Sequence, residues 1–276
     1  MAESVSDPPT TVSDGRYLYC LVDVAETNHP TLDTTGIGEA PVSVLTTDGI
    51  GAVVHPTETL YDSADSDQVR RWLVSHQRVI DDAAAAFGTP VPFQFDVVIE
   101  NGDKGVTDWL VDNAPTITEA LDRYSGLREY RIHVTWDRTT AANKASEDDE
   151  KLAAIEQRRA ESSDGEQFLL DKQYDQRLET VLREQKTQFR DQLTATVEEA
   201  VDELIEHSPA PSVEDLSSRE TADEWVARIA VLMSESSETT VGETLDEFAT
   251  EPGVEIRFTG PWPPYSFSTE FFEGAQ

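Results

Sequence analysis

Apolar residues along the chain switch between a spacing of two and a spacing of three to four, and the switches mark out its elements. Residues 17–24, 42–46 and 50–54 read as strands, and Thr47-Asp48-Gly49 supplies hairpin-turn chemistry between the last two. Asp65 and Ser66 offer capping oxygens to a helix. Val69, Trp72, Leu73, His76, Val79, Ile80 and Ala83 then recur at helical spacing until Gly88 ends the pattern. After Pro92, residues 93–99 read as a strand, and 106–124 as a helix broken or restarted near Pro115. Together these define an N-terminal α+β domain over residues 16–125. Residues 1–15 carry Ser, Thr, Pro and Asp without periodicity, the pattern of a flexible N-terminal segment.

A second domain is expected over residues 126–260. Tyr130, Ile132, Val134 and Trp136 alternate on one strand face, and helical sequence follows over 147–206 with a break at Ser162-Ser163-Asp164-Gly165. Leu178, Val181, Leu182, Phe189, Leu193, Val197, Val201, Leu204 and Ile205 keep a helical stripe that Pro209 and Pro211 close. A short edge strand at 213–216, a strand at 225–233, a helix at 241–248 and a strand at 254–259 complete the order β, helices, β, β, α, β. That order is the split βαβ, ferredoxin-like pattern, with its first crossover enlarged into a helical insert over about 146–207. The fold class predicted is therefore α+β in two domains, the second ferredoxin-like.

The tail, residues 261–276, departs from both domains. Three prolines and three aromatics crowd Pro261-Trp262-Pro263-Pro264-Tyr265-Ser266-Phe267, where a terminus is usually polar. The prolines bar a helix or a central strand, so the segment runs extended or turning across a surface. Trp262, Tyr265 and Phe267 are rigid anchors, and an internal strap fixing the two domains is favoured over a partner-facing anchor.

Charge narrows the setting. The chain has 55 Asp and Glu against 21 Lys and Arg, a net −34. Molar salt shrinks the Debye length to about 3 Å and relieves such self-repulsion, so the composition fits a salt-rich cytoplasm. With 38 % apolar residues in periodic runs the chain is not an acidic disordered protein. No basic stripe offers a route to nucleic acid, and no apolar run approaches the roughly 18 residues that cross a membrane. The single cysteine, Cys20, sits in an apolar strand and reads as a buried, inert thiol.

Catalytic signatures are missing from the sequence: no phosphate-binding glycine loop, no dinucleotide fingerprint, no zinc-protease pair. The five histidines are scattered; His76 falls on a helix's apolar face and His133 opposite the apolar face of its strand, both expected as structural or solvated. The acidic run 147–150 reads as a solvated helix start. No metal, cofactor or enzymatic activity is expected. Phe168, Leu169 and Leu170, directly after the break in the insert, either pack the insert or expose a partner surface.

Set side by side, these pieces resemble the gas vesicle GvpF/GvpL family, most closely its GvpL branch in halophilic archaea. Gly260-Pro261-Trp262-Pro263-Pro264-Tyr265-Ser266-Phe267 matches the family's terminal signature, and Tyr17-Leu18-Tyr19-Cys20 its opening strand. His76, Val79, Ile80 and Pro90-Val91-Pro92-Phe93 fit its helix-to-strand region. Gly165 to Lys172 fits its Gly-x-x-Tyr-Leu-x-x-Lys block with Phe168 in place of Tyr. After Pro92 the family's Arg-Phe-Gly-Thr type sequence is replaced by Gln94-Phe95-Asp96-Val97, so no role of that Arg carries over. The resemblance spans residues 17–267. It implies a non-enzymatic accessory or minor structural protein that acts with the small hydrophobic shell protein and other gas vesicle proteins during nucleation or assembly. A ferredoxin-like sensor or enzyme with a small-molecule site between its domains is the alternative.

Overall fold

A computed structural model of the chain describes residues 11–27, 29–207 and 223–269, which fall into two compact units, 1–129 with 261–276 and 130–260. The edge strand expected at 213–216 lies outside the described residues, as do positions 1–10 of the expected flexible segment.

In the first unit, β1 (Thr11–Asp23), β2 (Ser43–Thr47), β3 (Ile50–Thr59), α1 (Ser66–Phe87), β4 (Val91–Pro92), β5 (Val98–Ile99) and α2 (Gly102–Tyr124) follow one another. The sheet runs β2-β3-β1-β4 with β5 also on β1, and the pairs with β1 are antiparallel. Tyr17 to Val22 are each at most 1 % exposed, so β1 is covered on both faces, and α1 and α2 both pack against it. Asp48 and Gly49 take positive φ (48° and 86°) between partners Thr47 and Ile50, the two-residue turn whose twist suits a hairpin. Asp65 caps α1 by accepting from the backbone N–H groups of Asp67 and Gln68.

Three expectations need correction here. Residues 11–15 belong to β1, which begins six residues ahead of the predicted strand because Ser, Thr and Asp at a sheet margin carry no apolar alternation. The strand expected over 93–99 forms only at its end, as β5, and a separate short strand, β4, precedes it at Val91–Pro92. Asp96 interrupts them at φ 69°, held there as its carboxylate accepts the Tyr61 backbone N–H at 2.9 Å. Pro115 does not break α2, which runs unbroken through it. The ring removes one backbone bond, to Val111, whose residue is 55 % exposed and can be solvated there.

In the second unit, β6 (Leu127–Asp137) leads into α3 (Arg138–Asp148), α4 (Glu150–Glu161) and α5 (Asp164–Glu198). Then come β7 (Glu203–Glu206), β8 (Asp223–Ser234), α6 (Glu238–Phe248) and β9 (Val254–Trp262). The sheet order is β7-β8-β6-β9. Asp137, the last residue of β6, bonds Gly253 just before β9 at 2.8 Å, the pairing of antiparallel neighbours. Tyr130, Ile132, Val134, Val231, Met233, Val241 and Leu245 form its core, joined by Leu193 and Val197 from the C-terminal part of α5. A satellite core of Ala141, Ala145, Leu152, Val181 and Leu182 ties α3 and α4 to the middle of α5.

The helical insert also differs from its sequence reading. It opens at Arg138, because the face of α3 is built of alanines that give no strong stripe. It closes at Glu198, and Leu204 and Ile205 belong to β7, paired with Val231 and Ala230 of β8. Four apolar-rich residues fit a helical and a strand period equally, and only the pairing separates them. Charged staples hold the insert: Arg177 to Asp149 at 2.6 Å, Arg159 to Asp171 at 2.8 Å, and Arg138 to both Glu224 and Glu179. The Arg177 guanidinium holds the Asp149 carboxyl down to about 2, helped by the α4 N–H groups that Asp149 caps.

Candidate interaction surfaces

The tail motif is the C-terminal end of β9 followed by a tight turn, since the Tyr265 N–H bonds Pro263 O and the Ser268 N–H bonds Pro264 O. Pro261 onward belongs to the first unit. There Ser266 donates its backbone N–H and its hydroxyl to the two carboxylate oxygens of Glu129, at 2.7 and 3.0 Å, on a residue wholly shielded from solvent. Tyr124 donates its hydroxyl to Phe267 O at 2.7 Å, and the Tyr265 hydroxyl reaches Gln77 at 2.8 Å. Phe267 is 6 % exposed, Tyr265 packs on the first unit's core, and Trp262 is half-buried with its indole N–H lacking an acceptor. These aromatics face inward.

Under Tyr265 lies a polar network that the separate positions of its members hide in the sequence. Tyr17 and Tyr19, two apart on β1, point to one face and each meets a histidine Nδ1 at 2.8 Å: Tyr17 with His76, Tyr19 with His55. His76 Nε2 faces the carbonyl of Phe93 at 3.2 Å and therefore carries its proton, which leaves Nδ1 to accept from Tyr17. Tyr17 in turn accepts the Asp96 N–H, and Tyr19 accepts the Ile37 N–H at 2.9 Å. His55 Nε2 reaches the Tyr61 hydroxyl at 2.9 Å. Both tyrosine oxygens have thus already accepted, and a protonated Nδ1 would have no lone pair to receive their protons. Burial holds both imidazoles down to about 4, aided for His55 by the nearby His76, and pushes the Tyr17 and Tyr19 hydroxyls and the Cys20 thiol upward. A satisfied neutral network of this kind specifies a core.

The insert block splits. Leu170 is 5 % exposed and packs, whereas Phe168 and Leu169 are 68 % and 61 % exposed near the start of α5, with Lys172 Nζ 5.9 Å over the Phe168 ring. A second exposed pair, Leu73 and Val74 at 44 % and 65 %, stands on α1, where the apolar stripe had placed Leu73 in the core. The α1 pair sits on a charge-balanced helix with three Arg and three Asp, whereas α5, which carries Phe168 and Leu169, holds five Lys and Arg against eight Asp and Glu. Among the described residues no group of three or more His, Cys, Asp or Glu is placed to hold a metal ion, and no helix is long and apolar enough to cross a membrane.

Residues 15–269 match the family described as gas vesicle synthesis protein GvpL/GvpF. The chain belongs to this GvpL/GvpF family. Gas vesicle protein L1 of Halobacterium salinarum is 43 % identical to it over 97 % of this chain and 95 % of the relative. Gas vesicle protein L of Haloferax mediterranei is 39 % identical over 94 % and 89 %. The crystal structure of GvpF from Anabaena sp. PCC7120 superposes with a TM-score of 0.72 at 20 % identity, covering 93 % of this chain and 99 % of that one, a likeness of fold. In GvpL/GvpF terms, the closing signature is a docked segment whose polar grip comes from Ser266 and Ser268, residues that the sequence reading passed over between the aromatics. A Ser at every second position of an aromatic strap was the available signal.

Proposed function

We propose that this GvpL/GvpF-family chain is a non-enzymatic gas vesicle accessory or minor structural protein that binds the shell protein and other gas vesicle proteins during nucleation and assembly in a salt-rich cytoplasm. The observation that carries the reading is the near-full-length match to gas vesicle proteins of halophilic archaea, joined to large apolar side chains left exposed on α1 and α5. A strongly acidic chain keeps itself and its clients dispersed at high salt, while exposed apolar patches give those clients a place to touch. The second unit suits a ferredoxin-like scaffold: its element order β, α, α, α, β, β, α, β and strand order β7-β8-β6-β9 fit the split βαβ scheme with three helices in the first crossover. The tail motif, with Trp262, Tyr265 and Phe267, serves the first unit as a structural strap.

Tagged protein recovered from vesicle-forming cells lysed in molar KCl tests the reading. Shell protein should co-purify; a preparation repeatedly free of every other gas vesicle protein would count against it. A thermal-shift screen of metabolites and nucleotides separates the sensor or enzyme alternative, since a specific small ligand raises Tm by mass action.

A further inference from the structure

We infer that the outward side of α1 around Leu73 and Val74 is a docking surface, and that its occupant is a helix of another gas vesicle protein whose apolar stripe is flanked by carboxylates. This rests on the assembly reading above and adds the surface and the chemistry of the partner. α1 buries His76, Val79, Ile80 and Ala83 on one side. With about 3.6 residues per turn, Val74 then falls on the far side and Leu73 on the flank, and both stay exposed. The neighbours of Val74 one turn away on the helix surface are Arg70, Arg71, Gln77 and Arg78. All three arginines are exposed, and residues 68–80 contain no Asp or Glu. The acids on this side, Asp67 and Asp81, stand a further turn out in each direction, about 10 Å from Val74 along the axis.

Charge selects the partner. Arg16, Arg138, Arg159, Arg177 and Arg190 each form a salt bridge with a carboxylate. Among the described residues Arg70, Arg71 and Arg78 form none: Arg71 donates to Gln68 Oε1 at 2.7 Å and Arg78 to the Thr35 carbonyl at 2.9 Å, both uncharged acceptors. In a chain with 55 acids, three guanidinium groups without a carboxylate around an exposed valine make a positive rim on an apolar centre. Guanidinium takes a carboxylate in a bidentate contact, which persists where molar salt cuts the screening length to about 3 Å. Arg70 and Arg78 are eight residues apart, about 12 Å along the axis. A helix lying along this side therefore meets both with Asp or Glu about seven or eight residues apart and an apolar residue between them. The same face of a second copy does not fit. An antiparallel two-fold pair centred on Val74 sets Arg70 against Arg78 and Asp67 against Asp81, and a parallel pair sets each charge against itself. The aliphatic centre and the chain's net −34 disfavour nucleic acid.

The test places a photo-crosslinking phenylalanine analogue at 74, or at 168 for comparison, in the full-length chain, co-expressed with the gas vesicle proteins including the shell protein, and identifies the joined peptides. The expected result is a crosslink from 74 to a gas vesicle protein, at an apolar residue bracketed by Asp or Glu. Arg70→Glu with Arg71→Glu should reduce recovery of that partner about tenfold, with an unchanged circular dichroism spectrum because both side chains face solvent. Reversing the bracketing acids of the partner to Arg should restore it. Crosslinks from 168 with none from 74, or silence at both while the wild type still recovers a gas vesicle protein, would overturn the inference and leave the assembly reading standing. Crosslinks from 74 only to this chain itself, a second copy, nucleic acid or a peptide without acids would also overturn it, as would full recovery with the double Glu variant. Silence at both positions, with no gas vesicle protein recovered by the unlabelled wild type, would remove the assembly reading itself.

Discussion

Acidification should unfold this protein through His55 and His76 before its carboxylates titrate. Both imidazoles fold in neutral form with values near 4, against 6.5 for the free side chain. Between those values the unfolded chain binds more protons than the folded one, so the stabilisation is complete above pH 6.5 and is lost as pH falls toward 4. A displacement of about 2.5 units at 1.36 kcal/mol per unit gives roughly 3 kcal/mol for each histidine, a large share of a domain's 5–15 kcal/mol. The geometry gives the same sign: protonated Nδ1 atoms would confront Tyr17 and Tyr19 hydroxyls that already accept backbone N–H groups from Asp96 and Ile37. The assay is urea unfolding in molar KCl at pH 7.5, 6.5, 5.5 and 4.5, for wild type and for His55→Gln with His76→Gln. An amide can keep one donor and one acceptor without titrating. The wild type should lose several kcal/mol more than the double variant over this range. Parallel pH profiles for the two proteins would refute the reasoning, as would imidazole NMR signals of His55 and His76 that titrate near 6.5.

Other outcomes follow from the tail and the charge. Ser266→Ala removes the hydroxyl bond from Ser266 to the buried Glu129 carboxylate, leaving the backbone N–H bond, and should cost about 1.5–3 kcal/mol, read as a lowered urea midpoint; an unchanged midpoint would show that the strap adds nothing to the first unit. Trp262→Ala should lower Tm while shell-protein recovery persists, and normal Tm with lost recovery would instead make the tail a partner anchor. Dilution from molar to 10 mM KCl lengthens the Debye length from about 3 to about 30 Å and should unfold a chain of net −34; an unchanged circular dichroism spectrum and Tm at low salt would contradict that.

Elements with strong local signals were legible from residues alone. The 47–49 turn, the Asp65 cap, the alternation from Tyr130 to Trp136 and the break at 162–165 all correspond to features of the structure. What escaped depended on partners distant in sequence. β7 is a strand because β8 pairs with it, and α3 packs through alanines whose small side chains contribute little periodic contrast. The tyrosine–histidine network unites positions 17, 19, 55, 61 and 76, none of which marks itself as a network member. Phe168 and Leu169 could be singled out as unusual, but the division between a buried Leu170 and its exposed neighbours required the helix's orientation.

The proposed function has this chain meeting gas vesicle proteins during assembly. In-cell crosslinking of vesicle-forming cells, with the joined residues identified by mass spectrometry, tests it most directly. Crosslinks between this protein and the shell protein, present while vesicles are forming, are the expected result. Crosslinks confined to the chain itself, or reaching only proteins unrelated to gas vesicles, would contradict it.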